Sequence, residues 1–408
     1  MKLATVGLGQ AADINPRLIE RPGSETTVSF LGMADIDAES GTTPPGSSRM
    51  FGEVSKGYTQ FADRDLLVAK ITPCFENGKI AQATLGNPHG AGSTEFHVIR
   101  PDRTRFDDRF MLHFLRQPHI RAAGELRMTG SGGQRRVPEA FLAGLEIPLI
   151  ALEGQRRIAR VLDRVDALRA KRREASALLD DLAGSVFFDM FGDVAANNYG
   201  WDDSRTLGEV AFIGSGITKG RKLADRPMRS VPYMAVVNVQ ERRLDLSVVK
   251  EIEATEDEVD RYRLLENDLL LTEGGDPDKL GRGTLWHNEI PDCIHQNHIF
   301  RVRLREDSGI DPVFLNWLVA SDRGRRYFLR SAKQTTGIAS INATQLRNFP
   351  LLAPPIELQK NFSANLKQIE RRRSLYEKHL VELDTLFASL QHLGFRGELW
   401  PDAPSSGT

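Results

Sequence analysis

The chain has 408 residues, with 54 Lys and Arg against 55 Asp and Glu and a hydrophobic fraction of 40%. These values are typical of a soluble globular protein with two or more domains, and the balanced charge argues against a histone-like, non-specific nucleic-acid binder. The two cysteines, Cys74 and Cys293, lack the spacing of a disulfide scaffold or a zinc module. No apolar run approaches the roughly 18 residues that a membrane helix needs. We therefore expect a cytoplasmic protein without a membrane segment.

The first block of the chain is predicted to combine short strands with few helices. Short apolar runs between turn signals predict the strands, and a longer run predicts one helix. In chain order these are the strands Val28–Met33, Asp65–Ile71 and Ser93–Arg100, and a helix from Asp108 to about Arg116. A glycine-rich basic loop, Thr129–Arg136, and a short strand into Pro148 close the block. This alternation predicts an α+β (mixed α/β) domain.

A long helix is predicted next, from Gln155 to about Phe191. It contains no proline, Pro148 leads into it, and Gly192 follows it as a helix-ending glycine does. Its apolar residues recur at alternating three- and four-residue steps, which is the heptad seam of helices that wind around a partner. Arg172 interrupts the seam near its middle, as register-fixing polar residues do. The predicted seam consists of Ile158, Val161, Val165, Leu168, Ala175, Leu179, Leu182 and Val186.

The second half of the chain repeats the plan of the first. Phe300 corresponds to Phe96 and Gln359 to Gln155, in both cases 204 positions later. A second long helix is predicted from Gln359 to about Phe395. Its seam consists of Phe362, Leu366, Ile369, Tyr376, Leu380, Leu383, Phe387 and Leu390, with Arg373 at the interruption. The predicted segments are a domain at 1–150, a long helix at 151–193, a second domain at 194–354, a second long helix at 355–395 and a flexible tail at 396–408.

The two long helices are expected to pack on each other. Each would be about 55 Å long, and neither can bury its apolar seam alone. The alternative is that both are simply the core of a helical domain. The internal repeat favours a duplicated protein instead, because self-similarity over a whole chain is the sequence signature of a repeated architecture.

The order of block, long helix, block and long helix resembles the specificity subunit of type I restriction-modification systems over essentially the whole chain. One departure is Gly154, where an acidic residue before the glutamine is more usual. The motifs that carry the resemblance are Ile147-Pro148-Leu149 with Gln155-Arg156-Arg157-Ile158, Phe349-Pro350-Leu351 with Pro354-Pro355-Ile356-Glu357-Leu358-Gln359, Met190-Phe191-Gly192-Asp193, Gly214-Ser215-Gly216-Ile217-Thr218 and Ser93-Thr94-Glu95-Phe96.

The resemblance implies a division of labour. Each block would be a target recognition domain that reads one half of a bipartite, asymmetric site in double-stranded DNA. The two helices would form an antiparallel coiled coil with pseudo-twofold symmetry, which spaces the domains and docks two methyltransferase subunits. Restriction/translocase subunits would join the assembly. S-adenosylmethionine, ATP and Mg²⁺ would bind these partners, with no cofactor on this chain.

The residues themselves predict no catalysis by the chain alone. There is no phosphate-binding loop of the Gly-x-x-x-x-Gly-Lys-Ser/Thr type and no Asn/Asp-Pro-Pro-Tyr/Phe string of an amino-methyltransferase. The paired carboxylates Asp107-Asp108 and Asp180-Asp181 fall where solvated helix starts or faces are expected. The nine histidines form no ligand triad. We expect no metal site and no catalytic residue.

DNA reading requires side chains that match base edges, namely Arg or Lys for guanine and Asn or Gln for adenine. Such residues concentrate on predicted loops at similar places in the two blocks. An ordinary solvated surface is the alternative for any single one of them. The candidates are Lys70, Thr72, Lys79, Gln134, Arg135 and Arg136 in the first block, and Lys219, Arg221, Lys222, Gln296, Asn297, Lys333 and Gln334 in the second.

Two further hypotheses remain open at this point. The chain could be the specificity subunit of a modification-only system, or a coiled-coil adaptor that binds proteins rather than DNA. Two divergent blocks on one plan count against the adaptor. Clusters of basic residues midway along both helices, at 169–173 and 371–373, are either solvated faces or contacts to DNA phosphates or partners.

Overall fold

The computed structural model describes residues 3–18, 20–131, 133–221, 226–275, 280–335 and 338–399, and at 333–335 and 338 the backbone alone. The chain divides into two compact units. Unit 1 contains Met1–Ser176 and Leu375–Thr408, and unit 2 contains Ala177–Ser374. Each long helix is therefore shared between the units, whereas each block lies within one of them.

The first block contains ten short strands and five short helices among its described residues. The strands are β1 Thr5–Gly7, β2 Ala12–Ile14, β3 Thr27–Leu31, β4 Ser47–Met50, β5 Thr59–Ala62, β6 Leu66–Ala69, β7 Ile80–Gln82, β8 His89–Gly92, β9 Phe96–Pro101 and β10 Glu146–Pro148. The helices are α1 Leu8–Ala11, α2 Phe51–Val54, α3 Asp108–Leu115, α4 Pro118–Glu125 and α5 Glu139–Ala143, with a 3₁₀ turn at Met33–Asp35. The long helix α6, Leu152–Phe191, follows.

Two four-stranded sheets build this block. One has the order β2-β9-β6-β7 with antiparallel neighbours, and the other has the order β4-β3-β8-β5 with β3 parallel to β8. Strand β6 is buried on both faces. Leu66 and Val68 point into the core under α3, and Leu67 points towards Leu31 and the second sheet. Burial on both faces explains why this strand has a continuous apolar run rather than an alternating pattern.

The second block has the same framework with different additions. Its strands are β11 Ala211–Ser215, β12 Arg229–Met234, β13 Val239–Gln240, β14 Arg243–Leu244, β15 Lys250–Ala254, β16 Leu269–Thr272, β17 Gly274–Gly275, β18 Gly283–Leu285, β19 Ile294–His295, β20 Ile299–Leu304, β21 Lys333–Thr335 and β22 Ile338–Ser340. Its helices are α7 Leu207–Val210, α8 Glu256–Tyr262, α9 Pro312–Ala320, α10 Asp322–Ser331 and α11 Ala343–Arg347, with a 3₁₀ turn at Val236–Asn238. The long helix α12, Ile356–Phe395, follows.

The internal repeat is visible in the sheets. The order β11-β20-β16-β18 reproduces β2-β9-β6-β7, again with antiparallel neighbours. A buried carboxylate also occurs at the same place in each sheet. Arg100 donates two hydrogen bonds to Asp65 at 2.9 and 2.7 Å, and Arg303 donates two to Asp268 at 2.7 Å each. The α+β class and the repeated plan of block and long helix are confirmed.

The two long helices pair antiparallel within each unit. In unit 1 the Arg169 guanidinium donates to Asp384 at 2.6 Å, and Gly394 lies against Ile158. In unit 2 the Phe187 and Phe362 rings lie 5.3 Å apart, centroid to centroid, and Arg373 lies 3.3 Å from Asp180. Within each unit, residue numbers thus rise along α6 as they fall along α12.

The first helix departs from its predicted seam. Leu168 and Leu182 are each 46% exposed, and their neighbours Arg169 and Ala183 face the pair instead. Arg169 can take an inward position because Asp166 and Asp384 neutralise it and its guanidinium lies 4.8 Å from the centre of the Phe387 ring. Of the other predicted seam residues, Ile158, Val165, Phe362 and Leu366 are buried, and Leu179, Ile369, Leu380, Leu383 and Phe387 are half-buried.

The helix α12 ends at Phe395, as predicted, but Gly394, which stands where a helix-ending glycine is expected, does not end it. Gly394 is buried inside the helix, and a Cβ placed on it would lie 3.0 Å from the Ile158 side chain. Gly397 adopts a φ of +70° and ends the helix. Leu399, which lies within the predicted tail, packs against the core of unit 1. The rest of that predicted tail, 400–408, lies outside the described residues.

Candidate nucleic-acid interface

In the first block the glycine-rich loop lies beside the segment that follows β6. The Thr72 N–H donates to the Arg135 carbonyl at 2.9 Å, and the Val137 N–H donates to the Lys70 carbonyl at 2.8 Å. Thr129 and Arg136 close the loop by exchanging two backbone hydrogen bonds of 3.0 and 2.8 Å. The structure therefore brings five of the candidates together: Lys70, Thr72, Gln134, Arg135 and Arg136.

Two carboxylates hold the arginines of this loop. The Arg136 guanidinium donates to both Glu95 oxygens, at 2.9 and 2.8 Å, and is still 42% exposed. The hydrogen bond from Arg136 holds the pKa of Glu95 below its ordinary value, so the carboxylate is charged at neutral pH. Arg135 lies 3.5 Å from Glu76, which also accepts a 2.8 Å hydrogen bond from the Thr72 hydroxyl. Sequence reasoning missed these carboxylates as partners, although Glu95 lies inside the Ser93–Phe96 motif.

Lys79 has a different environment from the loop candidates. Its ammonium donates to the Met33 carbonyl at 2.7 Å, and its own carbonyl accepts from the Ala69 N–H at 3.0 Å. This side chain joins the 3₁₀ turn at Met33–Asp35, which follows β3, to the edge of the other sheet next to β7. The structure gives Lys79 a packing role within the block.

In the second block one basic candidate is exposed and another is held by hydrogen bonds within the block. Lys219 is exposed. Arg221 is 19% exposed, donates to both Glu258 oxygens at 2.7 Å each, and donates to the Glu253 carbonyl at 2.9 Å. Its guanidinium makes one more hydrogen bond than that of Arg136 and is less exposed, 19% against 42%. Lys222 lies outside the described residues.

Gln296 and Asn297 lie beside the predicted Gly214–Thr218 motif. The Asn297 N–H donates to the Ile217 carbonyl at 2.9 Å, and the Ile217 N–H donates to the His295 carbonyl at 2.8 Å. A Cβ on Gly216 would lie 1.8 Å from the His295 carbonyl oxygen, so this approach requires glycine. Both amide side chains are half-exposed.

The neighbouring His295 is a buried residue rather than a ligand. Its Nδ1 lies 3.0 Å from the Tyr262 carbonyl oxygen, and burial lowers its pKa to about 4. It is therefore neutral at physiological pH. Lys333 and Gln334 lie on β21, which pairs with β22, and β22 pairs in turn with β17. Only their backbone is described.

The basic clusters midway along the long helices contain ion pairs within their own units. Arg173 lies 3.2 Å from Glu39, and Arg373 lies 3.3 Å from Asp180. In the described part of the chain, no group of three or more His, Cys, Asp or Glu side chains could hold a metal ion. None of the helices described is long and apolar enough to cross a membrane.

Comparison with known proteins finds relatives in one functional class. The chain is 40% identical to the type I restriction enzyme EcoEI specificity subunit of Escherichia coli over 154 residues, which is 38% of this chain and 26% of that subunit. It is 23% identical to the EcoKI specificity subunit of Escherichia coli strain K12 over 317 residues, 74% of this chain and 68% of that subunit. The chain spans about a quarter of the length of the EcoEI and EcoAI subunits that it matches. No family model matches the chain.

Solved structures share the fold over nearly the whole chain. The type I restriction-modification S subunit from M. genitalium has a TM-score of 0.55 at 15% identity, covering 99% of this chain and 97% of that one. A chain from a structure concerned with complex assembly and conformational transition of the type I R-M system has a TM-score of 0.55 at 17% identity, covering 98% of both. At these identities the matches establish the fold.

Proposed function

We propose that this chain, which is homologous in sequence and in fold to type I restriction-modification specificity subunits, selects the DNA sequence on which such a complex acts. Each block reads one half of a bipartite, asymmetric site in double-stranded DNA. The observation that carries the proposal is the pair of blocks with one sheet framework and different loops. Two readers built on one plan are what an asymmetric site in two halves requires.

The loop of the first block supports base reading. Arg136 has one edge held by Glu95 and 42% of its side chain exposed. A guanidinium that is already oriented loses little conformational freedom when its other edge binds guanine O6 and N7. Lys70, Gln134 and Arg135 lie beside it as further base or phosphate contacts. In the second block we assign the corresponding role to Gln296 and Asn297, because Arg221 is already engaged by Glu258 and the Glu253 carbonyl.

The long helices carry apolar side chains that the helix pair leaves exposed. Unit 2 exposes Leu178 at 60%, together with Leu182 and Phe188, and unit 1 exposes Val381 at 65%, together with Leu168 and Leu386. Exposed apolar groups of this kind mark protein interaction surfaces. We assign one surface per unit to each of two methyltransferase subunits, with restriction/translocase subunits joining that assembly.

The chemistry belongs to the partners in this proposal. The chain is not an enzyme alone, and S-adenosylmethionine, ATP and Mg²⁺ bind the other subunits in the cytoplasm, where the DNA is. The second candidate function, a specificity subunit of a modification-only system, uses the same two surfaces. A coiled-coil adaptor would use the helix surfaces but has no role for the arginine–carboxylate loop.

Methyl transfer in a reconstituted complex tests the proposal. The purified chain is expected to transfer no methyl group, and addition of methyltransferase subunits from a related system is expected to produce methylation at one bipartite motif. The double substitution Leu178→Glu and Leu182→Glu should prevent docking of the methyltransferase subunit on unit 2, leaving one such subunit per complex, while the chain stays folded. Methylation by the chain alone, or by the complex without any sequence preference, would overturn the proposal.

A further inference from the structure

A buried glutamine joins the first block to its long helix. Gln155 lies in the first turns of α6 and is 1% exposed. Its side-chain oxygen accepts a hydrogen bond from the Asp107 N–H at 2.9 Å. Its amide nitrogen donates to the Arg105 carbonyl at 2.9 Å and to the Ile150 carbonyl at 2.8 Å. One side chain thus contacts the start of α3, the loop before it and the segment that leads into α6.

The same arrangement recurs in unit 2. Gln359 is 0% exposed, and its oxygen accepts from the Asp311 N–H at 2.8 Å. Its nitrogen donates to the Pro354 carbonyl at 2.7 Å and to the Gly309 carbonyl at 3.3 Å. Asp311 caps α9 as Asp107 caps α3. The two blocks differ in many loops, but they share this connection atom for atom.

Each glutamine is suited to fixing the angle between its block and the long helix that follows. A neutral amide supplies one acceptor and two donors on a single rigid plane, and all three are used here on backbone groups. Two of those groups belong to the loop at the start of α3 or α9, and the third belongs to the segment that leads into the long helix. A tilt of the block against its long helix would therefore break at least one buried hydrogen bond. A buried polar group that loses its partner is costly, so the hydrogen-bonded angle is favoured over tilted ones.

We infer that Gln155 and Gln359 are positioning residues that set the angle between each recognition block and its long helix, and so the length of the spacer between the two half-sites. The inference rests on the proposed function. One added base pair moves a half-site by about 3.4 Å and turns it by about 35° around the duplex. A block held at a fixed angle cannot follow that rotation, whereas a block that has lost the glutamine hydrogen bonds can.

The test uses the full-length chain in complex with methyltransferase subunits. Gln155→Met and Gln359→Met keep the side-chain volume and remove the hydrogen bonds. DNA substrates carry the recognised half-sites with the native spacer and with spacers one base pair shorter and longer. We expect the preference for the native spacer to fall on the order of tenfold in each variant, with both half-site sequences unchanged.

Gln345→Met is the matched control. Gln345 accepts from the Asn342 N–H at 2.8 Å and donates to the Ser331 carbonyl, so its bonds stay inside the second block. This variant should lower methylation equally at all three spacers. Gln155→Asn and Gln359→Asn, whose side chains are one methylene shorter and cannot reach all three backbone partners, repeat the test if a methionine variant does not fold.

The outcomes separate the two proposals. An equal loss at all spacers in the glutamine variants, as in the control, would show a purely structural role and overturn this inference. Failure of the unmodified chain to direct methylation to any bipartite site would instead overturn the proposed function.

Discussion

Arg136 illustrates how one residue can combine a fold contact with a recognition role. Glu95 holds one edge of its guanidinium, Nη1 donates only a long 3.4 Å hydrogen bond to the Gln134 carbonyl, and 42% of the side chain is exposed. Replacing Arg136 with alanine should weaken binding of the assembled complex to its own site by about 1–3 kcal/mol, the cost of losing a base-reading arginine. Competition binding with the native and a scrambled half-site measures this difference.

Arg127→Ala is the control for that experiment. Arg127 is exposed in the same block, donates to the Ala123 carbonyl at 3.1 Å, and its guanidinium lies 5.5 Å from the centre of the Phe141 ring. Its loss should leave the preference for the native half-site unchanged. Equal effects of the two substitutions would mean that the loop does not read bases.

A second residue-scale prediction concerns Asp163 of α6. Burial acts to raise the pKa of its carboxyl, but hydrogen bonds from His113 and Arg109 outweigh burial and lower that pKa from 3.8 to about 2. A lowered pKa in the folded state stabilises the fold above the unfolded pKa and loses that effect as the pH falls through the folded one. Asp163→Asn should therefore reduce the free energy of unfolding at pH 7.

The expected reduction in the free energy of unfolding is about 1 kcal/mol. This is less than the whole pKa shift would imply, because the Asp163 side chain is 35% exposed and solvent weakens its interactions. The difference between the variant and the unmodified chain should disappear as the pH falls from about 4 to about 2. Urea unfolding across this range measures it. A difference that is the same at pH 2.5 and pH 7 would contradict the assigned pKa.

The sequence did not predict correctly which residues of α6 face the partner helix. The heptad pattern favoured Leu168, yet the adjacent Arg169 faces the partner helix, because two aspartates and an aromatic ring neutralise and cover it. Asp384 lies 215 positions away in the sequence. A pattern within one helix cannot register a partner that arrives from the other.

At the scale of elements, long patterned segments were predictable and loops were not. Both long helices form, each 40 residues long and ending at the predicted phenylalanine, because the lack of proline and the sustained apolar period specify a helix locally. Strand β17 pairs with β22 through contacts distant in sequence, Gly274 with Ser340, and β13 and β14 are two-residue strands of one hairpin, too short to show a pattern, so local propensity did not predict them.

The long helices should set the spacer of the DNA site. Four residues inserted after Ser176 and four after Ser374, the unit boundaries, add about 6 Å to each helix. These positions avoid Ala183, Phe187 and Phe191, which are buried in the core of unit 2. We expect a spacer longer by about one or two base pairs, at about 3.4 Å per pair, with both half-sites unchanged.

Single-molecule sequencing of methylated DNA reads that spacer. The control replaces Glu174–Ala177 with the four residues used for the insertion, so that the sequence changes but the helix length does not. This variant should keep the native spacer. If the insertion variant methylates at the native spacer with full activity, the helices do not set the distance.

At the scale of the molecule, the duplicated plan was the most informative feature of the sequence. It predicted two similar blocks, and the sheets β2-β9-β6-β7 and β11-β20-β16-β18 share one order and one set of directions. It did not predict that each compact unit takes part of both long helices, because that division depends on which helix segments pack on which block. The bases that are read depend on loop side chains whose partner is DNA, and no internal pattern encodes them.

Exchange of one block tests the central claim most directly. Residues 1–145 are replaced by the equivalent block of a related specificity subunit, and the hybrid is combined with methyltransferase subunits. Single-molecule sequencing then gives the methylated motif. We predict that one half of the motif changes to that of the donor, while the other half and the spacer stay the same. A motif in which both halves change, or neither does, would contradict the assignment of one half-site to each block.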